Sequence, residues 1–470
     1  MNRTYILPAI EQVGQEVKIE GWVDARRDHG KIGFLDIRDH TGIMQVFVGR
    51  DLLSDAHIKE IRNEWVVSIT GIVNKRPDNL INDKISTGAV EIEAKTIEIL
   101  NTAEALPFEI TEDTSGVDEE VRLKYRYLDL RSERMKNNLM MRHKLITFLR
   151  EYLNKNDFVE IETPLLTASS PEGARDYLVP SRVFPGQFYA LPQSPQQYKQ
   201  LLMVAGIPRY YQIAKCLRDE DSRGDRQPEH TQLDMELSFT SQEEVLTLTE
   251  EMMTAMVKEL YPEKVITASP WPRLTYDEAM TKYGNDKPDL RKDKNNPNEL
   301  AFGWVVDFPL FEKDKDNGGI SPQHHMFTMP REEDMPILES EPLKVKGQLY
   351  DMICNGYEMA SGSIRINRPE IQAKIFKLIG LSMEEAKSKF GHMLEAFAFG
   401  APPHGGIAPG IDRLNMILRG EPNIREVMAF PKTGDGRDPM MGSPGEVRPE
   451  QLQELSISIT KKVDKKSNSK

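Results

Sequence analysis

The chain has 470 residues, 39% of them hydrophobic and 29% charged, and a formal net charge of -13. This length predicts at least two domains. No stretch approaches the roughly 20 apolar residues of a membrane-spanning helix, and the net acidity argues against nonspecific coating of nucleic acid.

The N-terminal segment and the cysteines of the chain predict its cellular compartment and redox state. The N-terminus lacks the apolar run of a secretory signal, and two cysteines, Cys216 and Cys354, are too few for a disulfide framework or a structural zinc site. We therefore expect a reduced, cytoplasmic protein with no membrane partner.

Short apolar runs with a period of two residues fill the first hundred positions. They predict five strands, separated by turn signals such as His40-Thr41-Gly42. Five strands in residues 1–105 favour a small closed barrel of the oligonucleotide-binding (OB) type, which binds unstacked bases on one face. An ordinary barrel core without nucleic acid is the alternative.

The periodicity breaks down over residues 106–136, which predicts a hinge. Residues 122–144 carry eight Lys or Arg against two acids, so they favour either a contact with a polyanion or a solvated helix face. Residues 451–470 are predicted to be a C-terminal extension that ends in a polar, Lys-rich tail.

Helical and strand-like runs alternate from residue 137 to residue 450. The strand-like runs lie far apart without a βαβ spacing, which predicts an α+β domain with a mostly antiparallel sheet flanked by helices. The phosphate-binding glycine patterns of Walker and Rossmann sites are absent from the sequence.

Three polar clusters interrupt this second region: residues 216–236, 356–365 and 405–418. Arg218, Asp234 and Glu236 lie in or next to strand patterns, and buried charges need partners or a ligand. The third cluster is a glycine-rich turn that opens an apolar helix, where a ligand can approach the backbone closely.

The helix, strand and Pro164, the segment Arg218-Asp-Glu220 and Gly410-Ile-Asp-Arg413 resemble the three motifs of class II aminoacyl-tRNA synthetases. The whole chain is similar to aspartyl-tRNA synthetases. Four further segments occur in that family's order: 170–176, 193–200, 225–234 and 429–432.

This resemblance implies an ATP-dependent ligase, which converts L-aspartate to aspartyl-adenylate and transfers it to the 3'-terminal adenosine of tRNA(Asp). It implies Arg218 and Arg413 as catalytic residues and Asp351 and Glu358 as ligands of Mg²⁺. The residues implied to bind ATP are Arg218, Asp219, Glu220, Gln227, His230, Glu358, Gly410, Ile411, Asp412 and Arg413. His230 departs from the family, which usually has an aromatic carbon ring there to sandwich adenine.

A lysine paired with an arginine favours the aspartate carboxylate over the neutral amide of asparagine. The resemblance implies Lys199 and Arg365 for that pair, and places His325 beside His324. The aspartate-binding residues that it implies are Glu172, Gln196, Lys199, Arg218, Asp234, His324 and Arg365.

In the barrel, the family's contacts with the tRNA anticodon match Phe34 and Gln45, with Arg26 and Arg27 on the preceding strand. His29 and Asn79 stand where strictly tRNA(Asp)-specific bacterial enzymes tend to carry leucine and lysine. They resemble nondiscriminating enzymes, which implies that tRNA(Asn) is also a substrate.

Two further expectations concern the architecture of the second region. The helix over residues 139–154 implies a homodimer, because it usually forms the dimer interface in this class. Bacterial members of the family insert a domain of more than one hundred residues into the catalytic core. The matching segment here, residues 276–303, is too short to contain it, so we expect this domain to be absent.

Two alternative functions remain open at this point. One is a tRNA-independent ligase that makes asparagine through an adenylate, against which the anticodon residues of the barrel argue. The other is a synthetase-like RNA-binding paralogue, which normally loses residues of the site. Here the residues implied for the site are present.

Overall fold

The computed structural model describes residues 2–30, 32–110, 113–169, 173–314 and 318–460. The chain divides into two compact units, Met1–Glu109 and Ile110–Lys470. None of the helices in these described ranges combines the length and apolarity that crossing a membrane requires.

The first unit is a closed five-stranded barrel in the order β1-β2-β3-β5-β4. Its strands are β1 Glu16–His29, β2 Ile32–Arg38, β3 Ile43–Val48, β4 Val66–Lys75 and β5 Val90–Asn101. The pair of β3 and β5 is parallel and the others are antiparallel. Buried and partly exposed residues alternate along the strands, so one side of each strand fills the barrel core. The predicted OB-type barrel is therefore confirmed.

Three short helices accompany the barrel. They are α1 Ile6–Ala9, α2 Arg50–Leu53 and α3 Ala56–Lys59. Ile6, Ala9 and Ile58 pack into the barrel's own hydrophobic core.

The second unit is built on an eight-stranded sheet. Its strand order is β12-β14-β17-β18-β19-β10-β9-β6. The strands of this unit are β6 Val159–Glu160, β7 Leu178–Pro180, β8 Phe188–Ala190, β9 Arg209–Leu217, β10 Glu229–Ser238, β11 Val265–Ile266, β12 Arg273–Thr275, β13 Glu299–Leu300, β14 Phe302–Val306, β15 Phe311–Lys313, β16 Ile320–Pro322, β17 Leu349–Cys354, β18 Tyr357–Ile364 and β19 His404–Pro409. Within the eight-stranded sheet the two edge pairs, β12 with β14 and β6 with β9, are parallel and the described central pairs are antiparallel, so the predicted mostly antiparallel sheet is confirmed.

The helices of the unit are α4 Glu119–Lys124, α5 Arg126–Asp129, α6 Glu133–Lys155, α7 Gln196–Val204, α8 Gln242–Leu260, α9 Tyr276–Tyr283, α10 Pro369–Leu378, α11 Met383–Ala398, α12 Ile411–Arg419 and α13 Pro449–Glu454. Helices α6, α8 and α12 pack on this sheet. The main core joins apolar residues of α6, α8 and α12 to the central strands. Leu145, Leu149 and Leu153 of α6 form part of it, spaced four residues apart so that they share one face of the helix.

The predicted hinge differs from the structure over most of its length. Residues 119–136 lie in the second unit as α4, α5 and the start of α6. Arg122 is buried and donates two hydrogen bonds to Glu426, at 3.0 and 2.9 Å, and Arg126 donates to Asp129 at 2.5 Å. These arginines of the basic segment are therefore held in internal ion pairs rather than displayed to a polyanion.

Candidate active site

A cavity of about 370 Å³ opens in the second unit, over the middle of the large sheet. Strands β10, β18 and β19, the loop between β9 and β10, and the N-terminal turns of α7 and α12 supply most of its lining. Thirteen residues predicted for the site line it: Gln196, Lys199, Arg218, Glu220, Gln227, His230, Asp234, His324, Glu358, Arg365, Gly410, Asp412 and Arg413. Glu172 lies outside the described residues.

One end of the cavity carries residues that the sequence predicts to bind aspartate, and is called the aspartate end for that reason; it is defined by Lys199, Asp234, Glu236 and Arg365. The Lys199 ammonium lies 2.8 Å from Asp234 Oδ1 and 3.3 Å from Glu236 Oε2. Arg365 donates two hydrogen bonds to Glu236, at 2.9 and 3.1 Å. All four side chains are buried, so each charge has a partner, as burial requires.

Burial and pairing act in opposite directions on the two acids of this end. Burial opposes ionisation of Glu236, but Arg365 and Lys199 outweigh it and lower the pKa of Glu236 to about 2. For Asp234, burial prevails over the attraction of Lys199 and raises the pKa. Asp234 Oδ2 accepts no hydrogen bond from the described residues, so it is available to an ammonium group.

Histidines extend this end of the cavity. His324 Nδ1 lies 3.0 Å from the Ser361 hydroxyl, and His325 Nε2 lies 2.7 Å from a guanidinium nitrogen of Arg365. Burial lowers the pKa of both imidazoles. Both therefore favour the neutral form beside the cations.

The opposite end, the nucleotide end, is defined by Arg218, Gln227, His230 and Arg413. Burial, with the positive charges of Arg218 and Arg413 acting in the same direction, lowers the pKa of His230 to about 3, so the imidazole is neutral. Arg413 donates to the carbonyl of Glu358 at 2.6 Å and pairs with Asp225 at 3.2 Å. A flat neutral ring beside guanidinium groups is suited to stacking on a base.

Two buried nitrogens of the nucleotide end have no hydrogen-bond partner among the described residues: Arg218 Nε and Gln227 Nε2. The other end of the Gln227 amide accepts the backbone N–H of Lys432 at 2.8 Å, which fixes its orientation. Because unpartnered buried donors are costly, these atoms mark places where a ligand with acceptor oxygens fits.

Three residues predicted to bind ATP have other surroundings. Both oxygens of Asp412 are engaged, by Arg142 at 2.5 Å and by the backbone N–H of Thr231 at 2.8 Å. Ile411 is buried in the main hydrophobic core. Asp219 is not among the lining residues, and it accepts an ion-pair contact from Arg175 at 3.8 Å. The assignment of Asp219, Ile411 and Asp412 to ATP binding stays a prediction, and the Asp412 carboxylate joins α12 to α6 and β10.

The two carboxylates predicted to hold Mg²⁺ lie on adjacent antiparallel strands, Asp351 on β17 and Glu358 on β18. Burial and the neighbouring Glu358 raise the pKa of Asp351 well above its usual value, and Asp351 Oδ1 has no partner in the described part of the chain. Such a pair fits a hard cation. Within the described ranges no three His, Cys, Asp or Glu side chains form a metal cluster, so phosphates and water would complete the coordination.

The predicted anticodon residues of the barrel form a row on its outer face. Arg27 pairs in register with Phe34, and Asp36 with Gln45. Arg27 makes two hydrogen bonds to Asp36, at 2.6 and 2.8 Å, and the Gln45 amide donates to Glu91 at 2.7 Å. Arg27, Gln45 and Asn79 line a second cavity, of about 570 Å³.

Arg26 differs from this prediction. Its guanidinium donates to Asp28 and to the backbone carbonyls of Ile58, Lys59 and Ile61. These bonds satisfy backbone carbonyl groups at the C-terminal end of α3. Arg26 reaches them because neighbouring residues of a strand face opposite sides of the sheet, so it points away from the side on which Arg27 lies. Arg26 is a structural residue of the barrel.

The residues predicted to govern tRNA discrimination are both exposed. The ring of His29 meets Phe34 edge to face, with centroids 5.9 Å apart. Asn79 lies in a short 3₁₀ turn, residues 78–80, beside the second cavity.

Glu236 is a site residue to which the sequence analysis gave no role. It holds both cations of the aspartate end. The signal was present, because Asp234 and Glu236 are two positions apart on one strand and therefore share a face.

Two family models match the chain. The model of class II tRNA synthetases (D, K and N) matches residues 118–434, and that of the OB-fold nucleic acid binding domain matches residues 17–100. Together they cover the sheet unit and the barrel that the structure shows.

Curated relatives match almost the whole chain. The aspartate–tRNA(Asp/Asn) ligase of Rubrobacter xylanophilus is 46% identical, with 95% of each chain covered. That of Treponema denticola is 41% identical over 98% of this chain and 99% of its own. The aspartate–tRNA ligase of Geobacillus kaustophilus is 40% identical over 98% and 99%.

The alignments are longer than this chain. The first of them spans 573 positions against 470 residues here, so at least 103 positions, the difference, have no counterpart in this chain. That is compatible with a missing internal domain, whose location near residues 276–303 stays a prediction.

Solved structures share the fold at lower identity. The asparaginyl-tRNA synthetase of Pyrococcus horikoshii, complexed with asparaginyl-adenylate, superposes with a TM-score of 0.75 at 21% identity and covers 92% of this chain and 98% of its own. The aspartyl-tRNA synthetase of Entamoeba histolytica gives 0.71 at 24%, over 92% and 91%. With its relatives at 40 to 46% identity, the chain belongs to the aspartate–tRNA ligase family of class II aminoacyl-tRNA synthetases.

Proposed function

We propose that this chain activates L-aspartate with ATP and transfers it to the 3'-terminal adenosine of tRNA(Asp) and tRNA(Asn). The observation that carries the proposal is one cavity with two differently equipped ends. Counting the described residues alone, paired cations and an acid oxygen without a hydrogen bond lie at one end, and donors without a partner and a neutral imidazole lie at the other.

Aspartate binds at the end that carries Lys199 and Arg365. Their two cations receive the side-chain carboxylate, whereas the amide of asparagine would leave them without a matching charge. Asp234 and Gln196 receive the α-ammonium, with Glu172 and His324 as predicted further members of this group.

In the first step, an oxygen of the aspartate α-carboxylate attacks the α-phosphorus of ATP. The bond from that phosphorus to the bridging oxygen breaks, and pyrophosphate leaves. Arg218 binds both the carboxylate and the α-phosphate, so its charge lies where the negative charges of the two reactants meet. Glu220 and Gln227 flank the nucleotide.

The adenine lies between His230 and Arg413, and the backbone of Gly410 allows α12 to begin close to it. Asp351 and Glu358 would hold Mg²⁺, which supplies further positive charge to the triphosphate when bound. In the second step, the ribose hydroxyl of tRNA attacks the adenylate and AMP leaves.

Aspartate-dependent exchange of pyrophosphate into ATP tests the first step without tRNA. The proposal expects exchange with aspartate and none with asparagine. No exchange, together with retained tRNA binding, would favour the paralogue. Exchange without any aminoacylation of tRNA would favour the tRNA-independent ligase.

Charging of both tRNAs is the finer part of the proposal. It rests on His29 and Asn79, and on relatives whose names include tRNA(Asp/Asn). The test is aminoacylation of purified tRNA(Asp) and tRNA(Asn) by the native chain and by a His29→Leu, Asn79→Lys double variant. We expect the variant to lose at least tenfold on tRNA(Asn) while tRNA(Asp) changes little. No product on tRNA(Asn) with the native chain would contradict it.

We also propose that the chain is a homodimer. The Leu145 side of α6 is buried in the core, but the adjoining segment exposes a group of large apolar side chains: Val159, Leu165, Leu166, Leu178, Val183, Phe184, Phe188 and Tyr189. So many exposed apolar residues in one short segment favour an interface. Light scattering should give twice the chain mass, and Phe184→Glu with Phe188→Glu should yield monomers.

A further inference from the structure

A chain of buried hydrogen bonds leads from the backbone of Pro402 to the aspartate end. His404 Nδ1 lies 2.8 Å from the Pro402 carbonyl, and His404 Nε2 lies 3.0 Å from the amide nitrogen of Gln200. The carbonyl of Gln200 accepts the amide of Gln196 at 2.9 Å. Gln200 and His404 are fully buried, and Gln196 nearly so.

The sequence brings these groups together in two ways. Gln196 and Gln200 are four residues apart in α7, so they lie on the same face one turn apart. His404 begins β19, opposite Ser238 of β10. The chain of bonds therefore joins the helix that carries Lys199 to the sheet beneath it.

The direction of every bond in this chain follows from its fixed end. The carbonyl of Pro402 can only accept, so His404 Nδ1 must carry the proton. Burial lowers the pKa of His404, and in the neutral ring Nε2 is then an acceptor. Gln200 must turn its NH₂ group to His404 and its carbonyl to Gln196.

Only one orientation of the Gln196 side-chain amide fits this series of hydrogen bonds. It donates its NH₂ group to Gln200, and its own carbonyl receives no hydrogen bond from the described residues and lies at the cavity that Gln196 lines. The reverse orientation would present an NH₂ donor to a substrate ammonium, which is a contact between two donors.

We infer that His404 is a positioning residue, which acts through Gln200 to hold the Gln196 carbonyl toward the α-ammonium of aspartate. This inference rests on the proposed function, since it concerns the binding of that substrate. It assigns a role to two buried residues that touch neither aspartate nor ATP.

Two substitutions separate this role from simple packing. In His404→Gln, the side-chain carbonyl can reach the position of Nε2 and accept from Gln200. In His404→Asn, the shorter amide can still donate to Pro402 but offers no acceptor at the position of Nε2. His404→Gln therefore keeps the hydrogen bond from Gln200, whereas His404→Asn keeps only the hydrogen bond to the Pro402 carbonyl.

The measurement is aspartate-dependent pyrophosphate exchange. A hydrogen bond to a charged group is worth roughly 1.5–3 kcal/mol, so His404→Asn should raise the KM for aspartate about tenfold or more. The KM for ATP should stay within about twofold. His404→Gln should restore the aspartate KM to within about threefold of the native value, and His57→Asn, at an exposed site of the barrel, should change neither.

A second variant protects the test against misfolding at position 404. Gln200→Met keeps His404 and the volume of the side chain but interrupts the bonds, so it should raise the aspartate KM to a similar extent. The Gln200→Met, His404→Asn double variant should be no worse than either single one, because both interrupt the same chain.

Three results would overturn the inference. They are an unchanged aspartate KM in His404→Asn, an equal loss in the Gln and Asn variants, and additive losses in the double variant. Failure of the proposed function is distinct from these, because the native chain would then show no aspartate-dependent exchange at all.

Discussion

At the aspartate end of the cavity, Lys199 and Arg365 are each paired with a buried acid, whereas at the nucleotide end Arg218 Nε and Gln227 Nε2 have no partner among the described residues. Asp351 Oδ1, on the strand next to Glu358, is likewise unpartnered. Both ends are polar. They differ in how the chain pairs their cations, although Asp234 Oδ2 at the aspartate end also accepts no hydrogen bond from the described residues.

Whether a buried group is paired within the chain separates groups that stabilise the folded state from groups that are free to bind a substrate. A paired buried charge contributes to the folded state and costs stability when its partner is removed. A buried donor without a partner costs stability until a ligand with an acceptor satisfies it. Substitutions at the two ends should therefore affect stability and activity in opposite proportions.

The largest expected effect is on activity, at Arg218. Arg218→Ala should lower kcat/KM for pyrophosphate exchange by about a thousandfold, because a positioned charge at the reacting phosphate is lost. The thermal midpoint should not fall, since Arg218 Nε has no hydrogen-bond partner in the described part of the chain to lose. Exchange kinetics and calorimetry on one preparation test both halves. Arg273→Ala, at an exposed ion pair with Glu243, is the matched control, and a large loss of stability in Arg218→Ala would break the comparison.

The next effect is on stability, at Glu236. Its pKa falls from 4.5 to about 2 on folding, so the ionised group stabilises the folded state above pH 4.5. That contribution is lost as the pH falls from 4.5 toward 2. A shift of this size corresponds to about 3 kcal/mol.

Glu236→Gln should therefore lower the free energy of unfolding by about 3 kcal/mol at pH 7, with a difference from the native chain that shrinks below pH 4.5. Denaturant unfolding at several pH values measures this. Glu243→Gln, which loses an exposed pair, should cost less than about 1 kcal/mol. Equal stability of the native chain and Glu236→Gln at pH 7 would contradict the prediction.

The smallest effect is a gain of stability, at Asp351. Its pKa is raised in the folded state, so ionisation of this carboxyl opposes folding, and the stability of the ligand-free protein should fall as the pH rises through that pKa. Asp351→Asn should remove this dependence and stabilise the ligand-free protein by about 1 kcal/mol.

The same variant should need a much higher Mg²⁺ concentration for exchange, because one of two hard ligands is lost. Thermal unfolding with and without Mg²⁺ and ATP, beside a titration of exchange activity with Mg²⁺, measures both effects. An Asp351→Asn protein that is less stable than the native chain without ligand would show that the carboxyl has a structural role.

Local patterns in the sequence predicted the elements well. Alternating residues in the first hundred positions predicted the five barrel strands, and the predicted helix over residues 139–154 corresponds to α6, Glu133–Lys155. These patterns succeed because the side of a strand or helix that enters the core is set by residues two, three or four positions apart. The resemblance in turn predicted most of the residues that line the cavity.

Contacts between distant residues decided what the patterns left open. Arg26 and Arg27 are neighbours in sequence, yet they have different partners. Arg26 donates hydrogen bonds to backbone carbonyls of α3, whereas Arg27 lies opposite Phe34 on the neighbouring strand, on the same side of the sheet. In the sequence, Arg122 is one cation of a basic segment. In the structure it forms an ion pair with Glu426, which is 304 positions away along the chain.

Local periodicity and motifs were therefore sufficient to predict the barrel strands, the order of the two units and the family. Which charges pair within the chain, and which have no partner among the described residues, depends on the tertiary structure. The tertiary structure also decided the direction of the hydrogen bonds from Pro402 to Gln196. The physical reason is that partnership and burial depend on residues that only folding brings within a few ångströms of each other.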